Sequence, residues 1–214
     1  MPKASPAALR ERVIAAPAPT LCLDFANTRY WRGTPQPTDE LEQFAALPAW
    51  LSKQHVLDAA TAAGLQALSP AQAARTLAEV LDAREQLYVL LHALACAAPP
   101  PADALAALLH HVAAAPARAE LVLAPRLAGW RVRLPRAGIA DLLAPVWWSA
   151  ADLALSAGRL PLRCCANPRC GWLFLDDSKG GTRRWCSMSA CGNRAKAQRH
   201  AQRQRGLKSA QPAA

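Results

Sequence analysis

Cys165, Cys170, Cys186 and Cys191 form two close pairs, each enclosing four residues, on either side of a fifteen-residue spacer. Thiolate pairs at this spacing suit a tetrahedral Zn2+, because each pair turns tightly around the ion and the spacer returns the chain to close the shell. Four sulfurs leave no open coordination position, so the expected chemistry is structural. A disulfide framework fits poorly, since nothing in the chain marks it as secreted. Cys164 adjoins the first ligand and reads as a spectator; Cys22 and Cys96 lie in apolar stretches and read as core residues. No glycine-rich phosphate loop, nucleophile elbow or zincin motif occurs, so no enzyme activity is expected.

The same segment carries the charge. From Arg159 onward there are twelve Lys and Arg against two acidic residues, whereas the preceding residues balance thirteen against thirteen. The whole excess of +10 therefore sits in the last quarter of the chain, as in a polyanion-binding module joined to a neutral body. Four thiolates and one Zn2+ carry a net −2, which Arg183, Arg184 and Arg194 can offset. Arg183, Arg184, Arg194, Lys196, Arg199, Arg203 and Arg205 are the candidate nucleic-acid contacts. The basic residues after Cys191 surround their helix without leaving an apolar stripe, so that helix either projects into water or lies on phosphates.

Positioning these residues requires a knuckle, a hairpin and a helix. Pro168 and Gly171 bracket Cys170 with turn chemistry, and Trp172 to Leu175 is strand-like. Ser178-Lys179-Gly180-Gly181 is expected to turn that strand into a second one, Arg183 to Cys186. A helix from about Ser189 to Arg205, closed by Gly206, supplies the last ligand from its first turn. That order is treble-clef-like.

Upstream the pattern is mainly helical. Ser69-Pro70-Ala71-Gln72 is a capping box with proline at the first helical position, starting a helix that runs to about Ala97 with Leu77, Leu81, Tyr88 and Leu91 on its apolar face. Leu105, Leu108, Leu109 and Val112 recur at helical spacing. Asp39 to Gln54 reads as a helix broken at Pro48, and Leu121 to Leu134 as a hairpin turning at Gly129. A last helix spans about Gly138 to Ala157, with Trp147 and Trp148 inward. The expected class is α+β, predominantly α. Residues 1–14 are read as a flexible tail, 15–158 as the helical domain, 159–206 as the finger and 207–214 as a disordered tail. Asp24, Asn27 and Arg32 could line a ligand pocket, although capping or the satisfaction of buried backbone groups is the simpler role for Asp24 and Asn27. His110 and His111, adjacent on a helix, face different ways and are not expected to bind metal.

No apolar run is long enough for a membrane span, and Pro17, Pro19 and Asp24 interrupt the nearest imitation of a signal peptide. The expected location is the cytoplasm.

Cys165-Ala166-Asn167-Pro168-Arg169-Cys170-Gly171-Trp172, followed by Arg183-Arg184-Trp185-Cys186 and Cys191-Gly192-Asn193-Arg194, resembles the CGNR zinc finger of bacterial proteins. Leu21-Cys22-Leu23-Asp24-Phe25-Ala26-Asn27-Thr28 and the helix bearing Ala83-Arg84-Glu85 resemble the ABATE domain that precedes that finger. The resemblance implies a stress-induced transcription regulator with Zn2+ on the four cysteines named above. DNA is then the expected partner and RNA the alternative. A zinc-stabilised protein-docking module is a third reading, and an enzyme centred on Asp24 and Asn27 ranks last. The helical domain would sense a small-molecule effector or form a homodimer, and is expected to stay folded without residues 159–214.

Overall fold

The computed structural model describes residues 10–15, 17–56, 59–124, 127–134, 142–156 and 161–209. Its spine is the long helix announced by Ser69. The Ser69 hydroxyl accepts from the Gln72 backbone N–H and the Gln72 side chain accepts from the Ser69 N–H, so the capping box closes as the sequence specifies.

In chain order the elements are β1 (Arg10–Ala15), α1 (Leu21–Ala26), β2 (Arg29–Tyr30), β3 (Thr38–Asp39), α2 (Ala46–Lys53), α3 (Ala59–Gln66), α4 (Pro70–Ala95) and α5 (Ala102–Ala114). They continue with β4 (Glu120–Ala124), β5 (Leu127–Leu134), α6 (Ala144–Leu155), β6 (Leu162–Cys164), β7 (Leu173–Leu175), a π turn (Met188–Gly192) and α7 (Asn193–Ser209). The class is α+β with helix dominant. Three small antiparallel sheets run β1-β5-β4, β2-β3 and β6-β7.

The main core gathers α1, α2, α4, α5 and α6. Phe25 lies 5.4 Å from Trp50 and meets Trp147 edge-on at 6.3 Å. Helix α4 turns Val80, Ala83, Arg84, Leu87 and Leu91 inward, a spacing of three and four residues. Trp147 and Trp148 are buried as expected, and His111 stacks on Trp147 at 4.3 Å. Cys22 is fully buried, with its backbone N–H on the Ser149 hydroxyl.

Several local expectations change. Residues 10–14 belong to β1, whose backbone is paired along β5 from Arg10 opposite Leu134 to Ala15 opposite Gly129. Gly129 therefore lies inside β5 and the hairpin reverses between Ala124 and Leu127. Asp39 is in β3, and α2 begins at Ala46 with Pro48 in its first turn, where the missing N–H costs nothing. Leu105 and Leu109 face outward, leaving Ala104 and Leu108 as the buried positions of α5. Cys96 is exposed just past the end of α4. The last expected helix is seen as α6, its proposed start at Gly138 falling outside the described residues. Helix α7 continues through Gly206 to Ser209, so residues 207–209 extend the helix, and residues 210–214 lie outside the described residues, as do 1–9. Among the described residues no helix is long and apolar enough to cross a membrane.

Candidate metal centre and its junction with the helical domain

The metal site is assembled from three short pieces. Strands β6 and β7 pair from Leu162 opposite Leu175 to Cys164 opposite Leu173, and the knuckle carrying Cys165 and Cys170 is the loop between them. The expected pairing of Leu173–Leu175 with Arg183–Cys186 does not form. Asp176 explains the difference: its buried carboxylate accepts from the Ser178 hydroxyl at 2.5 Å, the Ser178 N–H at 3.1 Å and the Arg183 N–H at 3.0 Å. The Ser178 hydroxyl and the two backbone N–H groups hold that carboxyl below its ordinary range. The chain is thereby pulled into a loop instead of a second strand. One backbone link, Ala166 N–H to Arg184 C=O at 2.8 Å, brings the second half of the finger to the knuckle. Ser187 caps the π turn by accepting from Ala190 N–H, and that turn presents Cys191.

The four sulfurs of Cys165, Cys170, Cys186 and Cys191 lie within 4.8 Å of one another. Cys170 to Cys186 and Cys186 to Cys191 are each 3.7 Å. A tetrahedron with Zn–S bonds of about 2.3 Å has edges of about 3.8 Å, so the cage is the size of the ion. The sulfurs crowd one another: hydrogen bonds from the Cys170 and Cys186 thiols hold the Cys165 thiol far down, while Cys170, hydrogen-bonded to Cys165, is pushed far up. A divalent cation relieves that crowding by taking all four as thiolates. Asn167 donates to Cys191 Sγ at 3.4 Å and accepts from Arg169 N–H, fixing the knuckle around the site. Cys164 stays outside the cage, its thiol raised to about 11 chiefly by burial. The donor set fits one structural Zn2+.

The basic candidates divide. Arg183 turns inward: it donates to the Trp185 and Cys186 carbonyls, pairs with Asp177 at 3.0 Å and lies 4.5 Å from the Phe174 ring centre. Arg184, Arg194, Lys196 and Arg199 are exposed, and none has a carboxylate within ion-pair distance among the described residues. Arg194 lies over the Trp31 ring at 4.5 Å and Arg184 over Trp185 at 5.6 Å. Arg203 and Arg205 occupy the later turns of α7, where side-chain placement lies outside the described residues.

Asn27 is spent on the finger, and the Arg32 side chain on the helical domain, rather than on a pocket. Buried Asn27 donates to Leu173 C=O at 2.8 Å and accepts from Leu173 N–H at 3.0 Å, acting like one more rung on the edge of β7. Arg32 donates to Glu85 and to the Ala26 and Arg29 carbonyls, and stacks on Tyr88 at 3.6 Å. The Tyr88 hydroxyl donates to Gly171 C=O at 2.9 Å; burial first, then the nearby Cys164, raises it to about 12, so it remains a donor. Asp24 stands apart, with a weak contact from the Thr20 hydroxyl at 3.4 Å, its carboxyl raised by burial. Glycine is required twice here. A Cβ on Gly33 would lie 2.1 Å from the Pro168 carbonyl oxygen, and Gly171, at φ +70, would crowd Arg32 and Tyr88.

Sequence reasoning missed the site roles of Tyr88, which reaches the finger, and of the Asp39, Arg84 and Glu85 network behind it. The available signal was Arg84, a charge spaced among Val80, Leu87 and Leu91 on the buried face of α4.

Asn27→Asp is expected to destabilise the protein by about 3 kcal/mol, because a carboxylate oxygen replaces the amide donor against the Leu173 carbonyl. Thermal unfolding should show a Tm lower by roughly 6–12 °C. Asp24→Asn, at a half-buried carboxyl without a strong partner, should leave Tm unchanged or raise it. Equal effects from the two changes would contradict the junction.

Two family models match the chain over residues 20–157 and 162–204. That of the CGNR zinc finger matches residues 162–204. That of ABATE, described as "Putative stress-induced transcription regulator", matches residues 20–157. No curated protein matches the chain. The helical core, the buried arginine helix and the four-sulfur centre thus lie in the two expected modules, and the chain belongs to the ABATE family, with a CGNR zinc finger at its carboxyl end.

Proposed function

We propose that this protein is a cytoplasmic, non-enzymatic DNA-binding regulator. Its Zn2+ centre, treble-clef-like in placing a knuckle ahead of a ligand-bearing helix start, holds α7 as a cationic rod. The observation that carries the reading is the segregation of charge: the excess of +10 lies beyond residue 158, and Arg184, Arg194, Lys196 and Arg199 face water without carboxylate partners among the described residues. A helix with almost no buried side chain gains little by packing, and cations on all its sides suit a phosphate-lined groove. Arg203 and Arg205 extend that rod. Arg183 acts by positioning the loop that leads to Cys186. The helical domain is where a small-molecule effector or a second copy of the chain would act.

Binding of the full zinc-loaded chain to duplex DNA should weaken steeply with salt, with a log–log slope of roughly −4 to −5 if about five phosphates are contacted. Competition at physiological salt is expected to favour duplex DNA over structured RNA. Preference for RNA would move the function to that class, and affinity no better than that of an equally basic peptide would leave the finger a protein-docking module.

A further inference from the structure

The loop joining β2 to β3 does more than dock the finger. Arg32 N–H donates to Cys170 C=O and Gly33 N–H to Arg169 C=O, both at 3.3 Å, so the loop runs alongside the knuckle like a short strand. Trp31, held at φ 56, packs against the sulfur cluster. The result is a cleft of about 460 Å³ with walls from both domains: Trp31, Thr34 and Gln36 on one side, Asn167, Arg169 and Arg194 on the other. No acidic residue lines it. Arg169 and Arg194 have no carboxylate within ion-pair distance among the described residues.

A second cleft of about 450 Å³ lies across the knuckle, with Arg163, Arg183 and Arg184 in its lining. Ala166 lines this one and Asn167 the first, so the knuckle is a ridge between two arginine-lined clefts. A small anion could occupy one cleft. A phosphodiester backbone, with a charge at every nucleotide, can engage both and cross the ridge.

We propose that the first cleft carries a phosphodiester backbone from the finger onto the helical domain, so that the loop 31–36 forms part of the nucleic-acid surface. This rests on the nucleic-acid reading above. The domain so far assigned to sensing would then set where the polyanion can lie, and any movement of that loop would change affinity directly.

The test uses the full zinc-loaded chain and a fluorescent DNA duplex, with anisotropy titrations at several salt concentrations. Arg169→Gln should weaken binding roughly eightfold at 0.1 M salt and make the slope shallower by about 0.9, the loss of one phosphate contact. Gln36 is exposed on the helical-domain wall, and its side chain makes no hydrogen bond among the described residues. Gln36→Glu should weaken binding, Gln36→Lys should tighten it and steepen the slope, and Gln66→Glu, at an exposed position of α3, should change little. Equal effects from Gln36→Glu and Gln66→Glu, or an unchanged slope in Arg169→Gln, overturn the proposal. If Lys196→Gln and Arg199→Gln weaken binding while the Gln36 variants do not, DNA binding stands and this extension of it falls. A chain that binds no duplex at all removes both.

Discussion

Withdrawing zinc with a strong chelator is expected to unfold the finger and also to lower the melting temperature of the helical domain. Structural Zn2+ contributes about 10–16 kcal/mol of apparent binding energy in small fingers, most of which is folding energy. Here the finger's own buried cluster is Cys165, Cys170, Phe174 and Cys191, so three of its four members are ligands. Without the ion the knuckle keeps only Phe174 and the partly buried Trp31, Trp172 and Trp185 around it, and α7, exposed along most of its described length, has little packing to sustain it. The damage should not stop at the finger. Leu173 is a member of the main core, Leu162 and Leu175 pack against it, and Asn27 has both hydrogen-bonding groups on Leu173. Residues 15–158, expected from the sequence to stay folded without the finger, should then do so with a lower melting temperature. Circular dichroism and tryptophan emission followed through chelation and zinc return should show reversible helix loss, and Cys191→Ser should reproduce it. A helical domain that melts at the same temperature with and without zinc would show the junction to be energetically idle.

Arg84→Met is expected to cost about 3 kcal/mol, among the largest effects of any single change in the helical domain. Arg84 is 1% exposed and holds Asp39 with two hydrogen bonds of 2.7 and 2.6 Å, Thr28 at 3.1 Å and Glu85 at 3.0 Å. Methionine fills similar volume but strands the Asp39 carboxylate, whose partial exposure keeps the loss near the lower end for broken buried pairs. Because the penalty arises from the unpaired charge, Arg84→Met combined with Asp39→Asn should recover much of it, and a double variant no better than the single would refute this account.

The same network sets the response to acid. Burial alone would raise Asp39 and Glu85, but Arg84 and Arg32 respectively, with the neighbouring cations, outweigh it and hold both carboxyls low. The unfolded chain takes up these protons first, so their contribution is complete above the ordinary carboxylate values of about 4 and is lost as pH falls below them. Acid unfolding of the Arg84→Met variant should accordingly be less steep over that range, because Asp39 no longer gains from ionising in the folded state.

The zinc ligands were legible because they obey a local rule. Four intervening residues within each cysteine pair let both sulfurs reach one ion whatever the rest of the chain does, and Ser69 with Gln72 closes its box within one turn. Charge segregation was equally plain, since it needs only counting. What the pattern misassigned were the partners. Trp172 to Leu175 does contain a strand, but its mate is Leu162–Cys164, because Asp176 draws the chain at Arg183 into a loop. Asn27 and Arg32 carry a ligand site's residue types, yet their groups are taken by Leu173, 146 residues away, and by Glu85 on α4. Sequence alone determined the elements whose geometry closes within a few residues: the caps, the knuckle and the bare cationic helix. Tertiary structure decided which polar groups meet across the domain boundary, because a buried donor donates to whatever acceptor the packing brings to it, and packing is a property of the whole chain.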